Sequence, residues 1–152
     1  MIEIEVEESR WTDALPDAAA VAERAGAAAL AAGNAEGDVV ILLTSDAEVK
    51  TLNARHRGKD RPTNVLSFPG ADMPLPEQAR HLGDLVLAFE TCAAEAEQQD
   101  KTLADHLSHL TVHGVLHLLG RDHEDDGEAE TMEAEERTIL ASLGIADPYR
   151  AQ

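Results

Sequence analysis

Cysteine is almost missing from the sequence. Cys92 is the only one in 152 residues, which excludes an internal disulfide and fits a reducing compartment, with a small buried residue as its ordinary role. Positive charge is scarce too. Twelve Lys and Arg stand against thirty Asp and Glu, giving a formal charge of −18 and a pI near 4.5, so any nucleic-acid contact must be a local basic patch rather than the whole surface. No run approaches the ~18 apolar residues of a membrane span, and Met1 to Glu8 has neither the basic region nor the apolar core of a secretion signal. The expected location is the cytoplasm, with no membrane partner. No internal repeat, low-complexity tract or heptad run is present, and the length suits one domain with a substantial core, so residues 1–152 are read as a single domain.

Ile2, Ile4 and Val6 alternate with Glu3, Glu5 and Glu7, the period-two pattern of a strand with one wet face. Thr12 or Asp13 can cap a helix through the alanine-rich stretch to about Ala32, with Pro16 in its first turn and Gly33-Asn34 as its stop. Val39 to Leu43 is short and apolar on both faces, so it is predicted to be the middle of the sheet. Ser45-Asp46-Ala47-Glu48 has the form of a capping box, which predicts a helix from Asp46 to about His56, ending near Gly58. Thr63 to Phe68 reads as a strand closed by Pro69-Gly70. A proline-containing loop of about thirteen residues follows, long enough to be a lid or binding loop, and it ends at Gly83-Asp84 before a strand from Leu85 to Phe89. Three helices complete the chain: Glu90 to about Asp100, one capped by Thr102 with Leu103, Leu107, Leu110 and Leu116 as its buried stripe, and about Glu128 to Leu143, ended by Gly144. The glutamates of the last helix read as a solvated face. The expected fold is α+β, a mixed sheet of about four strands with about five helices, the early strands parallel and one edge antiparallel.

Against the acidic background, Arg55, Arg57, Lys59 and Arg61 fall within seven residues and make up a third of all Lys and Arg. Cations at a helix C-terminus offset the negative pole of its dipole by ~0.3 to 1 kcal/mol each, which explains Arg55 and Arg57. Lys59 and Arg61 lie beyond the helix stop and fit that explanation less well.

The second anomaly is His113-Gly114-Val115-Leu116-His117-Leu118-Leu119-Gly120-Arg121-Asp122-His123. Residues four apart on a helix project from one face, so His113 and His117 can place two imidazole nitrogens on one ion. Gly120 is suited to the left-handed conformation that ends a helix, and a turn there could bring His123 back as a third ligand. Three nitrogens leave one tetrahedral position open, which is the arrangement of a catalytic zinc, since that position can hold a water whose pKa falls towards ~7. A lone histidine on an apolar helix is more often a plain surface or core residue; the third His and the Gly favour a metal, and one Zn²⁺ over nickel, iron or copper. His106 and His109 share the face. A helix turn rises 5.4 Å while metal–nitrogen bonds are ~2.0 to 2.1 Å, so these two are read as supporting or structural residues rather than ligands. The His spacing matches the metzincin proteases, except that Gly114 stands where they carry a Glu general base.

The string His-Gly-x-Leu-His-Leu-x-Gly-x-Asp-His instead resembles the YbeY family of bacterial endoribonucleases. A second stretch, Leu52-Asn53-Ala54-Arg55-His56-Arg57 through Asp60-Arg61-Pro62-Thr63-Asn64-Val65-Leu66-Ser67-Phe68, resembles that family's other signature. The resemblance implies three zinc ligands at His113, His117 and His123, and a functionally important arginine at Arg57. It further implies action on single-stranded RNA, maturation of the 3′ end of the 16S ribosomal RNA precursor, ribosome quality control, and contacts with the small ribosomal subunit and its proteins. Asn64 stands where some members have Asp, and Arg121 where many have Tyr; Arg121 adds a candidate phosphate contact.

The expected activity is therefore that of a metal-dependent endonuclease on RNA. The ion and Arg57 would share the charge of the scissile phosphate, with Arg55, Lys59, Arg61 and Arg121 as candidate RNA-binding residues. Gly114 supplies no base, so the ion's hydroxide, Asp122 or a substrate 2′-hydroxyl must manage the proton. Two other classes compete: a zinc metallopeptidase, supported by the ligand spacing and opposed by Gly114, and a non-catalytic ribosome assembly factor whose zinc is structural.

Overall fold

The computed structural model describes residues 2–58, 63–69, 81–120 and 126–149, apart from the side chains of His56, Arg57 and Asp126. The chain runs β1 (Ile2–Val6), α1 (Arg10–Ala14), α2 (Ala18–Ala32), β2 (Asp38–Thr44), α3 (Asp46–Arg57), β3 (Val65–Pro69), β4 (His81–Ala88), α4 (Phe89–Gln98), α5 (Leu103–Leu118) and α6 (Asp126–Ser142). The strands form one sheet in the order β1-β2-β4-β3, with β1, β2 and β4 parallel and β3 antiparallel on the edge. That is the mixed α+β sheet the sequence predicts. The parallel pairs require crossovers, which the helices between the strands supply.

Strand alternation decides which helix covers which face. Val39, Ile41, Leu43, Leu85 and Leu87 point to one side and join α2, α5 and α6 in the main core, where the alanines of α2 permit close approach. Val86, Ala88 and Leu66 point to the other side and meet Val49 and Leu52 of α3. The helix bearing the histidines and the helix ending in Arg57 thus lie on opposite faces of the sheet. Trp11, fully buried, fastens α1 to the strand ends: its Nε1 donates to the Thr44 carbonyl at 3.0 Å and its ring stands edge-on to Phe89.

The helix signals hold where a side chain or a glycine fixes the end. Ser45 and Thr102 accept bonds from the amides of Glu48 and Asp105, capping α3 and α5. Gly58 and Gly120, with φ of 70° and 91°, take the left-handed turn that ends each helix. The N-termini of α3 and α4 also cap each other, Asp46 accepting from the amide and hydroxyl of Thr91 while Glu90 accepts from the amide of Asp46.

Several boundaries differ. The single helix expected to reach Ala32 is two, because Leu15 before Pro16 leaves the helical region (φ −141°, ψ 88°), which proline disfavours in its predecessor. Among the described residues the helices therefore number six rather than about five. β2 is interior, as expected, and shares the centre of the sheet with β4, the more buried strand. β4 also begins at His81, so Gly83-Asp84 lies inside a strand, and Phe89 opens α4 instead of closing β4. Among the described residues no helix is long and apolar enough to cross a membrane.

Candidate metal centre

A groove of about 570 Å³ runs between the edge strand β3 and α5. Asn64, Val65, Ser67 and Pro69 form one wall, and His109, His113 and His117 the other. The two elements are tied where the Ser67 hydroxyl donates to the Gly114 carbonyl at 3.3 Å. The ladder sets which backbone groups face the groove. The Ala88 amide bonds the Asn64 carbonyl, so residues 64, 66 and 68 pair with β4 while Val65 and Ser67 turn their peptide groups away from it. No described residue lining the groove is Lys or Arg, so positive charge for a polyanion must come from a metal or from outside those residues.

His113 and His117 meet one turn apart, with their Nε2 atoms separated by 3.1 Å. Two nitrogens bound to one tetrahedral ion at ~2.0 to 2.1 Å stand ~3.3 Å apart, so the pair nearly has the spacing of a chelating couple. The donor set fits a borderline metal such as zinc. Among the described residues no group of three ligating side chains converges; His123, the third expected ligand, lies outside the described residues.

Glu136 is the residue that sequence reasoning missed. It belongs to the helix whose glutamates read as a solvated face, yet it is fully buried. His109 Nε2 donates to its Oε1 at 2.7 Å, the Tyr149 hydroxyl donates to the same oxygen at 2.5 Å, and His113 Nδ1 donates to its Oε2 at 2.9 Å. Burial alone would raise its pKa, but these hydrogen bonds together outweigh the desolvation and hold it at about 2. The same surroundings push the Tyr149 hydroxyl up, through burial first and then the Glu136 carboxylate. A signal was there to read: Met132, Glu136, Ile139 and Leu140 follow helical spacing, so this glutamate sits within the apolar stripe of α6.

His106 and His109, the other two histidines on this face of α5, each bond a buried or half-buried carboxylate. His106, almost fully buried, bonds Glu95 at 2.9 Å, and burial lowers its pKa despite that carboxylate. Glu95 also accepts from the Asn64 side chain at 3.0 Å, which fixes the head of the groove. Cys92 is buried and in no disulfide; its thiol donates to the Asn64 carbonyl at 3.5 Å and is pushed up by burial.

Gly114 has a packing role as well as a chemical consequence. A Cβ there would stand 2.8 Å from Leu85 Cδ2, so α5 lies against β4 at this point. A side chain at this position is aimed into the sheet and away from the groove, and a metzincin-like glutamate could not serve the His pair. Arg55 is exposed on α3. Arg57 ends α3, and its side chain, with Lys59, Arg61, Arg121 and Asp122, lies outside the described residues. Of the sequence-predicted site residues, those brought together are His113 and His117.

A family model described as Endoribonuclease YbeY matches residues 3–144. Among curated relatives, the endoribonuclease YbeY of Paramagnetospirillum magneticum is 58% identical over 149 residues, covering 93% of this chain and 91% of that one. The endoribonuclease YbeY of Azorhizobium caulinodans is 54% identical over 152 residues, covering 97% and 95%. The solution structure of a Thermotoga maritima protein aligns with a TM-score of 0.56 over 99% of this chain and 100% of that one; at 24% identity it shares the fold.

Proposed function

The chain belongs to the YbeY family of endoribonucleases, and from that premise we propose that the groove between β3 and α5 is where it cuts single-stranded RNA, with one zinc ion held by His113, His117 and His123. The observation that carries this reading is the pair of Nε2 atoms 3.1 Å apart on the groove wall. Bound there, the ion would supply polarisation of a phosphoryl oxygen and acidification of water.

The remaining work falls to the chain's own residues. Arg57 clamps two oxygens of the scissile phosphate with its guanidinium fork and shares the charge that develops there. Lys59, Arg61, Arg55 and Arg121 hold neighbouring phosphates, adding affinity without sequence preference. Asp122, next to the third ligand in sequence, accepts the proton of the attacking hydroxyl at its carboxylate. A groove walled by one strand and one helix suits a single extended strand, whose bases meet the outward peptide groups of Ser67 and the carbonyl of Val65, the Val65 amide being held by Asn64 Oδ1. The substrate is the 16S ribosomal RNA precursor near its 3′ end, met in the cytoplasm on the small subunit and its proteins.

The test is cleavage of a single-stranded RNA spanning the 16S 3′ end, with and without a chelator, beside an unstructured protein substrate. Cutting of the RNA that stops with chelator and returns with zinc, while the protein stays intact, is the expected result. Intact RNA with zinc-loaded enzyme would overturn the reading, and cleavage indifferent to the chelator would remove the metal from it.

A further inference from the structure

We propose that Glu136 is a positioning residue for the metal centre: it fixes the His113 proton on Nδ1, so that Nε2 carries its lone pair beside Nε2 of His117. The proposal rests on the reading of His113 and His117 as metal ligands.

The geometry allows little else. Glu136 comes from α6, is fully buried, and has both oxygens engaged. An ionised carboxylate only accepts hydrogen bonds, so a ring nitrogen 2.9 Å from Oε2 must be the donor. In neutral His113 that leaves Nε2 as the lone-pair nitrogen, the one facing His117. A histidine that ligates through one nitrogen and donates its other N–H to a carboxylate is oriented and made more basic as a ligand.

The other oxygen is held in turn. Oε1 accepts from His109 Nε2 and the Tyr149 hydroxyl, so the carboxylate cannot rotate away from His113 without breaking two bonds. Tyr149 is itself located by α6: its amide bonds Asp147, which pairs with Arg137, and the Arg137 guanidinium lies over its ring. The last described segment of the chain therefore fastens a residue that orients the centre.

Glu136→Gln distinguishes this role from simple packing, because glutamine has nearly the same shape but one acceptor oxygen instead of two. Two donors converge on the Oε1 side, so the amide oxygen settles there and the NH₂ group faces His113 Nδ1. That nitrogen must then accept, and the proton moves to Nε2, the wrong place for a metal. The first measurement needs no variant: nitrogen-15 NMR of the metal-free wild type should show His113 protonated on Nδ1, and protonation on Nε2 would overturn the proposal. In Glu136→Gln the proton should move to Nε2, and zinc affinity, measured by competition with a chromophoric chelator, should fall ~10- to 100-fold. Tyr149→Phe, which keeps the carboxylate, should retain the Nδ1 tautomer. An unchanged tautomer and unchanged zinc affinity in Glu136→Gln would sink the assignment. A wild type that binds no zinc would instead sink the metal reading, while its His113 tautomer still decides what Glu136 does.

Discussion

His113 and His117 bring their Nε2 atoms to 3.1 Å across one turn of α5, while His109, one turn earlier, has its Nε2 on Glu136 instead. Helical spacing places all three on one face, and in the proposed centre His113 and His117 are the ligands while His109 holds Glu136. His117→Ala should therefore abolish tight zinc binding, whereas His109→Ala should weaken it several-fold at most. Zinc content after dialysis against a competing chelator measures both. Equal losses in the two variants would mean that the roles are wrongly divided.

Arg57 bears the sharpest demand on the fold, since α3 and α5 cover opposite faces of the sheet. Arg57→Ala should leave stability and zinc content unchanged and slow single-turnover RNA cleavage by ~10² to 10³, as expected when a charge-assisted contact to a developing anion is lost. Arg57→Lys should recover only part of the rate, because an ammonium cannot reproduce the bidentate fork. Lys59→Ala should weaken RNA binding and flatten its salt dependence more than it slows the chemical step. Wild-type rates for Arg57→Ala at saturating RNA would return this arginine to the role of a helix-end cation.

Gly114→Ala tests the contact between α5 and β4. Alanine gains ~1 kcal/mol of helix propensity over glycine, but its Cβ would lie 2.8 Å from a Leu85 methyl that is itself fully buried. Overpacking of this kind costs ~1 to 3 kcal/mol. The urea midpoint should fall, and Gly114→Glu should fall further without gaining peptidase activity. A Gly114→Ala protein more stable than the wild type would show that the contact relaxes freely.

His106 should make the metal-free protein acid-sensitive. Burial is the larger influence and lowers its pKa below the ordinary 6.5, against the pull of Glu95. The unfolded chain therefore takes up a proton before the folded one does, and stability that is complete above pH 6.5 declines as pH falls from 6.5 towards the lowered native value. In His106→Gln the urea midpoint should change less between pH 7.5 and 5 than in the wild type. Parallel profiles would mean that this histidine does not titrate differently in the two states.

What the sequence determined by itself was local. The spacing of His113 and His117, the caps at Ser45 and Thr102 and the stops at Gly58 and Gly120 depend on backbone geometry within a turn or two, and they stand where the pattern put them. Crossover lengths likewise carried the parallel core and the antiparallel edge. Pro16 is legible as a residue of a first helical turn, but its restriction of Leu15 separates two helices instead. The tertiary structure alone decided what crosses elements. Glu136 stands among many glutamates in α6, and only the packing of α6 and the Tyr149 segment against α5 turns that one into the buried partner of His113. Gly114 reads in sequence as a missing base; its direction into Leu85 depends on which side of the sheet α5 occupies. Helical periodicity says which residues share a face. What that face meets is a matter of burial and hydrogen-bond satisfaction between segments distant in the chain.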